Sequence, residues 1–250
     1  MTTLVRSLSI RRLRLSIPAY LLPRLENVLF AAIFLGVIGL GSRLLNQDGD
    51  LGRHLTIGSY IISHHAIPTH DLFSHTMQGA ALTPHEWLAQ VIFASAYKVA
   101  GLNGVVYLCA LMLAVTFALV YRQCMQRSRI VLLSLCFTIL AAAAASLHWL
   151  ARPHLFTLLL VVVWTGILEQ MRRGDQRRWW ILPLIMLVWA NLHGAFIAGF
   201  AIWAAYWLED LYKRRLNSQS TKIPNSQPTS LWQSLRTTRS LPSPIRTPMK

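Results

Sequence analysis

Two carboxylates flank a glycine in the segment Asp48-Gly49-Asp50. Carboxylate oxygens at positions i and i+2 can hold a divalent cation, and one of them can instead accept a proton as a general base. The segment directly follows an apolar run, so a polar turn that merely ends a membrane helix accounts for the same residues. The spacing alone leaves both interpretations open.

A third carboxylate lies in the segment Thr83-Pro84-His85-Glu86-Trp87. Glu86 is a candidate for positioning a substrate. The same residues also fit the start of a helix, with Thr83 as the N-cap, Pro84 in the first position and Glu86 completing a capping box. Trp87 would then be an aromatic residue of the membrane interface.

Two further polar segments lie at the ends of apolar runs. Arg152-Pro153-His154 carries a guanidinium that can bind a phosphate through two parallel, charge-assisted hydrogen bonds. Asn191-Leu192-His193-Gly194 brings an amide and an imidazole to the end of another run. The structural alternatives are an arginine that snorkels to lipid head groups and side chains that cap a helix end.

The chain has nine histidines, and several of them are close together in sequence. Zinc sites are built from such residues, but only at characteristic spacings. No such spacing is found in the group His64, His65, His70, His75 and His85. We therefore expect these five to be solvated loop residues rather than metal ligands.

These side chains must be positioned by larger structural elements, and the composition indicates that these elements are membrane helices. Of the 250 residues, 54% are hydrophobic and 13% are charged, whereas soluble domains carry roughly 25% charged residues. Several apolar runs approach the roughly 18 residues that a membrane span needs. The net charge of +15 lies in short basic segments between these runs, so we do not expect a nucleic-acid partner. Three cysteines lie in or beside the runs, and we expect them to be core residues.

The apolar runs predict an all-α, polytopic membrane helix bundle with about five or six transmembrane helices. The predicted spans are 27–45, 104–121, 130–147, 154–170, 179–193 and 195–209. Domain boundaries follow from these spans. A basic N-terminus covers 1–26, the transmembrane domain covers 27–211, and a tail rich in Ser, Pro, Thr and Arg covers 212–250. We expect this tail to be disordered, either as a true cytoplasmic tail or as the end of a truncated or frame-shifted reading frame.

Basic loops predict the orientation. If the N-terminus is cytoplasmic, the arginine-rich connections 122–129 and 171–178 and the basic residues 213–215 all fall on the inner side. The stretch 85–101 is apolar, but a crossing there would put those loops outside. We therefore expect it to lie on the outer surface as an amphipathic helix, with a second such helix at 50–63. The outer loop then spans about 46–103.

With this orientation, all nine histidines and four of the nine acidic residues lie in one outer layer. Polar groups that converge at a membrane boundary are costly, and they therefore suggest function. Carboxylates, an arginine and imidazoles in one layer suit an enzyme that handles an anionic lipid head group. The arginine would hold the phosphate while a carboxylate activates an acceptor.

The order of these motifs resembles the N-terminal part of bacterial GT-C-type membrane glycosyltransferases, of the mannosyltransferase-like and lipopolysaccharide core transferase-like kinds. The resemblance covers roughly residues 25–210. The matching elements, in order, are the first span, Asp48-Gly49-Asp50, Gly58, Ile67-Pro68, Asp71-Leu72-Phe73-Ser74, Glu86-Trp87-Leu88, Arg152-Pro153-His154 and Trp189-Ala190-Asn191-Leu192-His193-Gly194.

This resemblance implies a donor and a catalytic base. The enzymes of this family transfer a sugar from a polyprenyl-phosphate donor to a lipid, glycan or protein acceptor at the outer face of the plasma (inner) membrane. An acidic residue of the first outer loop is the expected base, here Asp50 or Asp48, and two juxtamembrane helices in that loop belong to the fold. Some members need a divalent cation, which Asp48 and Asp50 could bind. The candidate substrate-binding residues are Glu86, Arg152, His154, Asn191, His193, His54 and Asp71.

Two other function classes fit parts of the pattern. Family members usually have more spans, so the chain could be a non-catalytic membrane fragment. A small transporter could use the same polar groups to line a pathway. Such a pathway should place ionisable groups at mid-membrane depth, and the spans 104–121 and 130–147 contain no charged residue in their interiors.

Overall fold

The computed structural model of the protein describes residues 24–47 and 49–220, with side chains described as far as Leu216. The described residues are helical and contain no strand, apart from one isolated bridge between His70 and Ala81. This confirms the all-α prediction. The predicted tail lies largely outside the described residues, as does most of the basic N-terminus.

Eight α-helices and two short 3₁₀ turns make up the described chain. The helices are α1 (Leu25–Gly39), α2 (Gly41–Asn46), α3 (Leu51–His64), α4 (Trp87–Ser128), α5 (Val131–Ala145), α6 (His154–Arg172), α7 (Ile181–Leu192) and α8 (Ile197–Ser220). The 3₁₀ turns are Ser146–His148 and Gly194–Phe196.

Three of the described helical segments are long and apolar enough to cross a membrane, namely Trp87–Ser128, Val131–His148 and His154–Arg172. A bilayer core is about 30 Å thick, which a helix of roughly 20 residues crosses. The helices α1 and α7 are apolar but shorter. The protein therefore has the character of a membrane protein, and the count of five or six spans stays a prediction.

Helix α4 is broken into two arms at Ala100 and Gly101. Gly101 has φ +59° and ψ −146°, a backbone conformation that is essentially restricted to glycine. Just beyond the break, a Cβ added to Gly104 would lie 2.1 Å from the carbonyl oxygen of Ala96, so only glycine allows the two arms to meet this closely. The first arm, 87–99, and the second, 102–128, correspond to the predicted surface helix and the predicted second span.

Helix α3 is the other predicted surface helix, and it packs closely on the first arm of α4. A Cβ added to Gly58 would lie 2.1 Å from the carbonyl oxygen of Gln90 and 2.8 Å from the Cβ of Ala94. One turn earlier, the buried ring of His54 places its Nδ1 3.5 Å from the Gln90 amide nitrogen. The structure thus contains both helices expected between the first two spans.

The second arm of α4 forms the centre of the hydrophobic core. Val105, Cys109 and Leu113 are each at most 1% exposed, and α1, α5 and α6 all contact this helix. Cys109 is therefore a core residue, as predicted. The same prediction is wrong for Cys136, which is exposed on α5.

Helix α5 contacts the rest of the protein through a narrow strip. Only Ser134 and Thr138 are buried, and both hydroxyls donate to backbone oxygens one turn earlier in the chain. Small residues four apart let helices approach closely in a membrane, where apolar surface needs no protein partner. Ala142 and Ala145 near its end are partly buried against the core, and most of the other residues of α5, including Cys136, are exposed.

Several arginines of the described chain lie together at one end of the helices, which we call the basic end. Arg24, before α1, lines one cavity together with Arg122 of α4, and a second cavity there brings Arg122 close to Arg173 of α6. The connections 122–129 and 171–178, predicted to share a side, therefore lie together. The side of the membrane that this end faces stays a prediction.

The chain divides into two units after Ile202. In the described part of the second unit, α8 carries two i,i+4 ion pairs. These are Glu209 with Lys213, at 2.5 Å, and Asp210 with Arg214, at 2.8 Å.

The contact at Gly58 can be tested by adding one methyl group. We expect Gly58→Ala to lower the free energy of unfolding by about 1–3 kcal/mol, because a backbone carbonyl occupies the space that the methyl needs. The control is Gly52→Ala in the same helix, which has nothing within 4 Å and should be neutral or stabilising by up to about 1 kcal/mol. Thermal unfolding in detergent, followed by size-exclusion chromatography, measures both variants. Equal midpoints would show that the two helices can separate at no cost.

Candidate functional site

A cavity of about 420 Å³ lies at the end of the protein opposite the basic loops. It is formed by the starts of α3, α4 and α6 and by the residue that follows α7. Nine of its eleven lining residues are ionisable. The lining residues are Asp50, Arg53, His54, His85, Glu86, His148, Leu150, Arg152, Pro153, His154 and His193.

Three helices begin at this cavity. α3 starts directly after Asp50, α4 directly after Glu86 and α6 directly after Pro153. The first N–H groups of a helix have no partner within the helix and carry partial positive charge, so this arrangement favours a negatively charged group. Neither Asp50 nor Glu86 forms a side-chain capping hydrogen bond at its own helix.

Asp50 and Arg152 form a hydrogen-bonded ion pair across the cavity, with Nη2 of the arginine donating to Oδ2 of the carboxylate. Both side chains are nearly half exposed, at 46% and 40%. The backbone beside the arginine is fixed, because the N–H of Ala151 donates to the carbonyl of Leu44 in α2. The predicted base and the predicted phosphate ligand are thus direct neighbours.

Glu86 is the more buried of the two cavity carboxylates, with its side chain 13% exposed. Its Oε1 lies 3.6 Å from Nε2 of His193 and 3.8 Å from Nε2 of His85. Burial raises the pKa of the Glu86 carboxyl, and the nearby charges of His85, Arg53 and Arg152 only partly oppose this shift. Glu86 therefore holds its proton to higher pH than an exposed glutamate.

A partly buried chain of hydrogen bonds orients His193. The indole N–H of Trp189 donates to the hydroxyl of Thr157 at 2.9 Å, and that hydroxyl lies 2.9 Å from Nδ1 of His193. The backbone N–H of Ala195 also donates to this Nδ1, which therefore acts as an acceptor. In the neutral ring the proton then lies on Nε2, which faces Glu86.

Asn191 holds two helices together and does not line the cavity. Its Oδ1 accepts from the indole N–H of Trp87 at 2.8 Å, and its Nδ2 donates to the carbonyl of Leu187. This bond fixes the start of α4, and with it Glu86, against the end of α7. Asn191, which was predicted to bind substrate, thus positions Glu86.

Asp71 also lies outside the cavity lining. Its Oδ1 accepts from the backbone N–H groups of Phe73 and Ser74 at 2.9 and 3.0 Å, and these two hydrogen bonds lower the pKa of the carboxyl. This is an ordinary turn cap. The carboxylate is occupied by its own loop.

The remaining predicted residues have different places. His54 lies buried at the cavity wall, and Nε2 of His154 contacts the carbonyl oxygen of His148. Asp48 lies outside the described residues. Within the described chain, no three His, Cys, Asp or Glu side chains form a group that could hold a metal ion, and the suggested cation site at Asp48 and Asp50 stays a prediction.

The predicted capping box is not formed. Helix α4 begins at Trp87, with Glu86 itself as the N-cap, because Thr83 to Glu86 form a turn held by backbone bonds. The Glu86 carboxylate consequently points at imidazoles rather than at a backbone N–H.

Sequence reasoning missed three residues that matter here. Arg53 lines the cavity, and its place three residues after Asp50 was the available signal. The hydrogen-bonded chain to His193 is formed by Thr157 and Trp189. Thr157 lies three residues after His154, and Trp189 lies in the segment Trp189-Ala190-Asn191-Leu192-His193-Gly194. Nothing in the sequence indicates that these two side chains bond to each other.

The raised pKa of Glu86 predicts a pH-dependent gain in stability for Glu86→Gln. Above the ordinary glutamate pKa of 4.5, the unfolded chain releases a proton that the folded chain retains, so the carboxyl destabilises the fold increasingly as pH rises towards its raised value. The difference in unfolding midpoint, variant minus parent, should be more positive at about pH 7.5 than at about pH 4.5. Asp175→Asn, at the basic end, is the control. The same difference at both pH values would contradict the raised pKa.

Comparisons of the sequence with protein-family models, with curated proteins and with solved structures gave no match in any of the three.

Proposed function

We propose that the protein is a glycosyltransferase of the plasma (inner) membrane. It moves a sugar from a polyprenyl-phosphate donor to a lipid, glycan or protein acceptor at the outer face, with its N-terminus in the cytoplasm. The observation that carries the proposal is the pairing of Asp50 with Arg152 in a cavity where three helices begin. Such a cavity offers one group that accepts a proton and several that bind a phosphate.

The cavity suits a donor whose leaving group is anionic. Arg152 and Arg53 contribute two guanidiniums, and the starts of α3, α4 and α6 contribute backbone N–H groups. The negative charge that develops on the departing phosphate is stabilised by donors already in place, which is the most effective form of electrostatic catalysis. The helices long enough to span a membrane give the lipid part of the donor a place beside the cavity.

The transfer itself is a single displacement. Asp50, or Asp48 in its place, takes the proton of the acceptor hydroxyl, and the hydroxyl oxygen forms a bond to the anomeric carbon. The bond between that carbon and the phosphate oxygen breaks, and polyprenyl phosphate leaves with the electron pair. Attack opposite the leaving group inverts the anomeric configuration.

The Asp50–Arg152 ion pair couples donor binding to the base, because the donor phosphate and Asp50 compete for the same guanidinium. Arg152 has five N–H donors in a fixed planar fork, so a phosphate can bind this guanidinium and weaken its hold on Asp50. Donor binding then delivers the leaving group and turns an oxygen of Asp50 from Arg152 towards the acceptor hydroxyl. Glu86 and His193 orient the sugar from the opposite wall.

A transport pathway is the weaker proposal. The two cavities rich in ionisable residues lie at opposite ends of α6, a helix of 19 residues. A pathway needs polar groups between such ends. The second arm of α4, which runs beside α6, instead buries Val105, Cys109 and Leu113.

The proposal predicts that Asp50→Asn abolishes transfer and leaves membrane insertion unchanged. We expect a loss of about 10²–10⁴-fold, because an amide cannot take the proton of the acceptor. Transfer is measured from a labelled polyprenyl-phosphate sugar pool in membranes that contain the full chain. Asp48→Asn is measured in parallel, and normal transfer by both variants would end the assignment of the base.

The controls separate chemistry from folding. Asp175→Asn removes an exposed carboxylate at the basic end and should transfer at the parent rate. Arg152→Gln should lower transfer by about 10²–10³-fold, since the leaving phosphate loses its principal donor. Absence of transfer from the parent chain itself, when it is inserted and folded, would favour a non-catalytic membrane fragment.

A further inference from the structure

A second cavity, of about 400 Å³, lies at the basic end between α4, α6 and the start of α7. Four arginines and a single carboxylate line it. The ionisable lining residues are Arg122, Arg127, Arg173, Arg178 and Glu169. The cavity is therefore strongly positive, and the proposed transfer reaction does not use it.

Glu169 assembles the positive groups from two helices. Its carboxylate is nearly buried and accepts from Nε and Nη2 of Arg172 at 2.8 Å and from Nε of Arg173 at 3.0 Å. Arg127 of α4 approaches the same carboxylate at 3.7 Å. Arg127 and Arg173 line the cavity, and each guanidinium has five N–H donors, more than one shared carboxylate can use, so N–H groups of these two arginines remain for a further anion.

Two arginines of this cavity are not held by Glu169. Arg178 makes one long hydrogen bond, of 3.4 Å, to the side-chain oxygen of Gln170. Arg122 has no ion pair or hydrogen bond within the described part of the chain. These two side chains extend the positive rim from the end of α4 to the start of α7.

Apart from Gln123, the inner part of the cavity is apolar. Val163, Ile167, Ile181 and Ile185 line it, and Val163 lies seven residues before Gln170, or about 10 Å along the helix axis. Gly166 leaves room for the Gln123 side chain, because a Cβ there would lie 2.9 Å from the Gln123 amide nitrogen, which donates to the carbonyl of Val162 at 2.7 Å. The cavity thus passes from a basic rim to an apolar interior along a helix long enough to span a membrane.

We propose that this cavity binds an anionic membrane phospholipid, with its phosphate on the arginines and the start of its chains among the apolar residues. Arginine forks match the geometry of phosphate oxygens. Basic pockets between membrane helices are known to bind lipid head groups. A water-soluble phosphate ester shares the head-group chemistry but leaves the apolar part unfilled. The site lies away from the candidate catalytic cavity and does not depend on the proposed transfer reaction.

The test compares two matched pairs of substitutions by native mass spectrometry of the full chain in detergent. Phosphatidylglycerol and phosphatidylcholine are titrated separately. Arg122→Gln with Arg178→Gln should weaken phosphatidylglycerol binding by about tenfold or more, since each arginine near a head group contributes about 1 kcal/mol. Arg129→Gln with Arg177→Gln removes the same charge from the same two loops at residues that do not line the cavity, and should retain binding.

A third variant separates a lipid from a soluble phosphate. Ile185→Trp fills the apolar part and should weaken phosphatidylglycerol binding without affecting binding of glycerol 3-phosphate at the rim. Size-exclusion chromatography checks that each variant is folded. Equal losses from both arginine pairs would mean that only diffuse surface charge acts. Equal binding of the two lipids by the parent would mean that the cavity does not recognise the anionic head group, and either result would overturn the proposal. Tight binding of glycerol 3-phosphate together with full lipid binding by Ile185→Trp would assign the cavity to a soluble ester instead.

Discussion

The candidate site depends on one close approach between two backbones. Gly58 of α3 lies against the carbonyl of Gln90 in α4, where even a methyl group would not fit. This contact fixes the relative position of two helices whose starts carry Asp50 and Glu86. Without it, two carboxylates that are 36 residues apart in sequence would have no reason to share a cavity. Gly58 has no reactive group, yet its contact determines how Asp50 and Glu86 are placed relative to each other.

The cavities at the two ends of the helix pair α4 and α6 differ in their balance of charge. At one end, two carboxylates and two arginines lie among imidazoles, and Asp50 and Arg152 form an ion pair. At the other end, a single Glu169 holds several arginines in place and leaves a net positive rim. Between them the core is apolar, so the two charged cavities are separate.

The sequence predicts the helices well because they follow from the length of the apolar runs and from the positions of the charged residues between them. The apolar runs identify α5 and α6, and the placing of arginines correctly predicts that the stretch 85–101 is a helix distinct from the one that follows. The bend between those two helices needs Gly101 in a conformation that no pattern reveals. Arg152 and Asp50 were both recognised as chemical groups, but their pairing depends on tertiary packing. The hydrogen bonds of Asn191 and Asp71 were unpredictable for a related reason, since a polar residue looks the same in sequence whether it binds a substrate or bonds within the protein.

The narrow contact of α5 has a consequence for how the protein is made. A helix that buries only Ser134 and Thr138 gains little from its neighbours, and its leucines and phenylalanine are satisfied by lipid alone. Such a helix can enter the bilayer as a stable unit during synthesis, before α6 has left the ribosome. Its later docking onto α4 is then a lateral step within the membrane, guided by the close packing of small residues rather than by the hydrophobic effect.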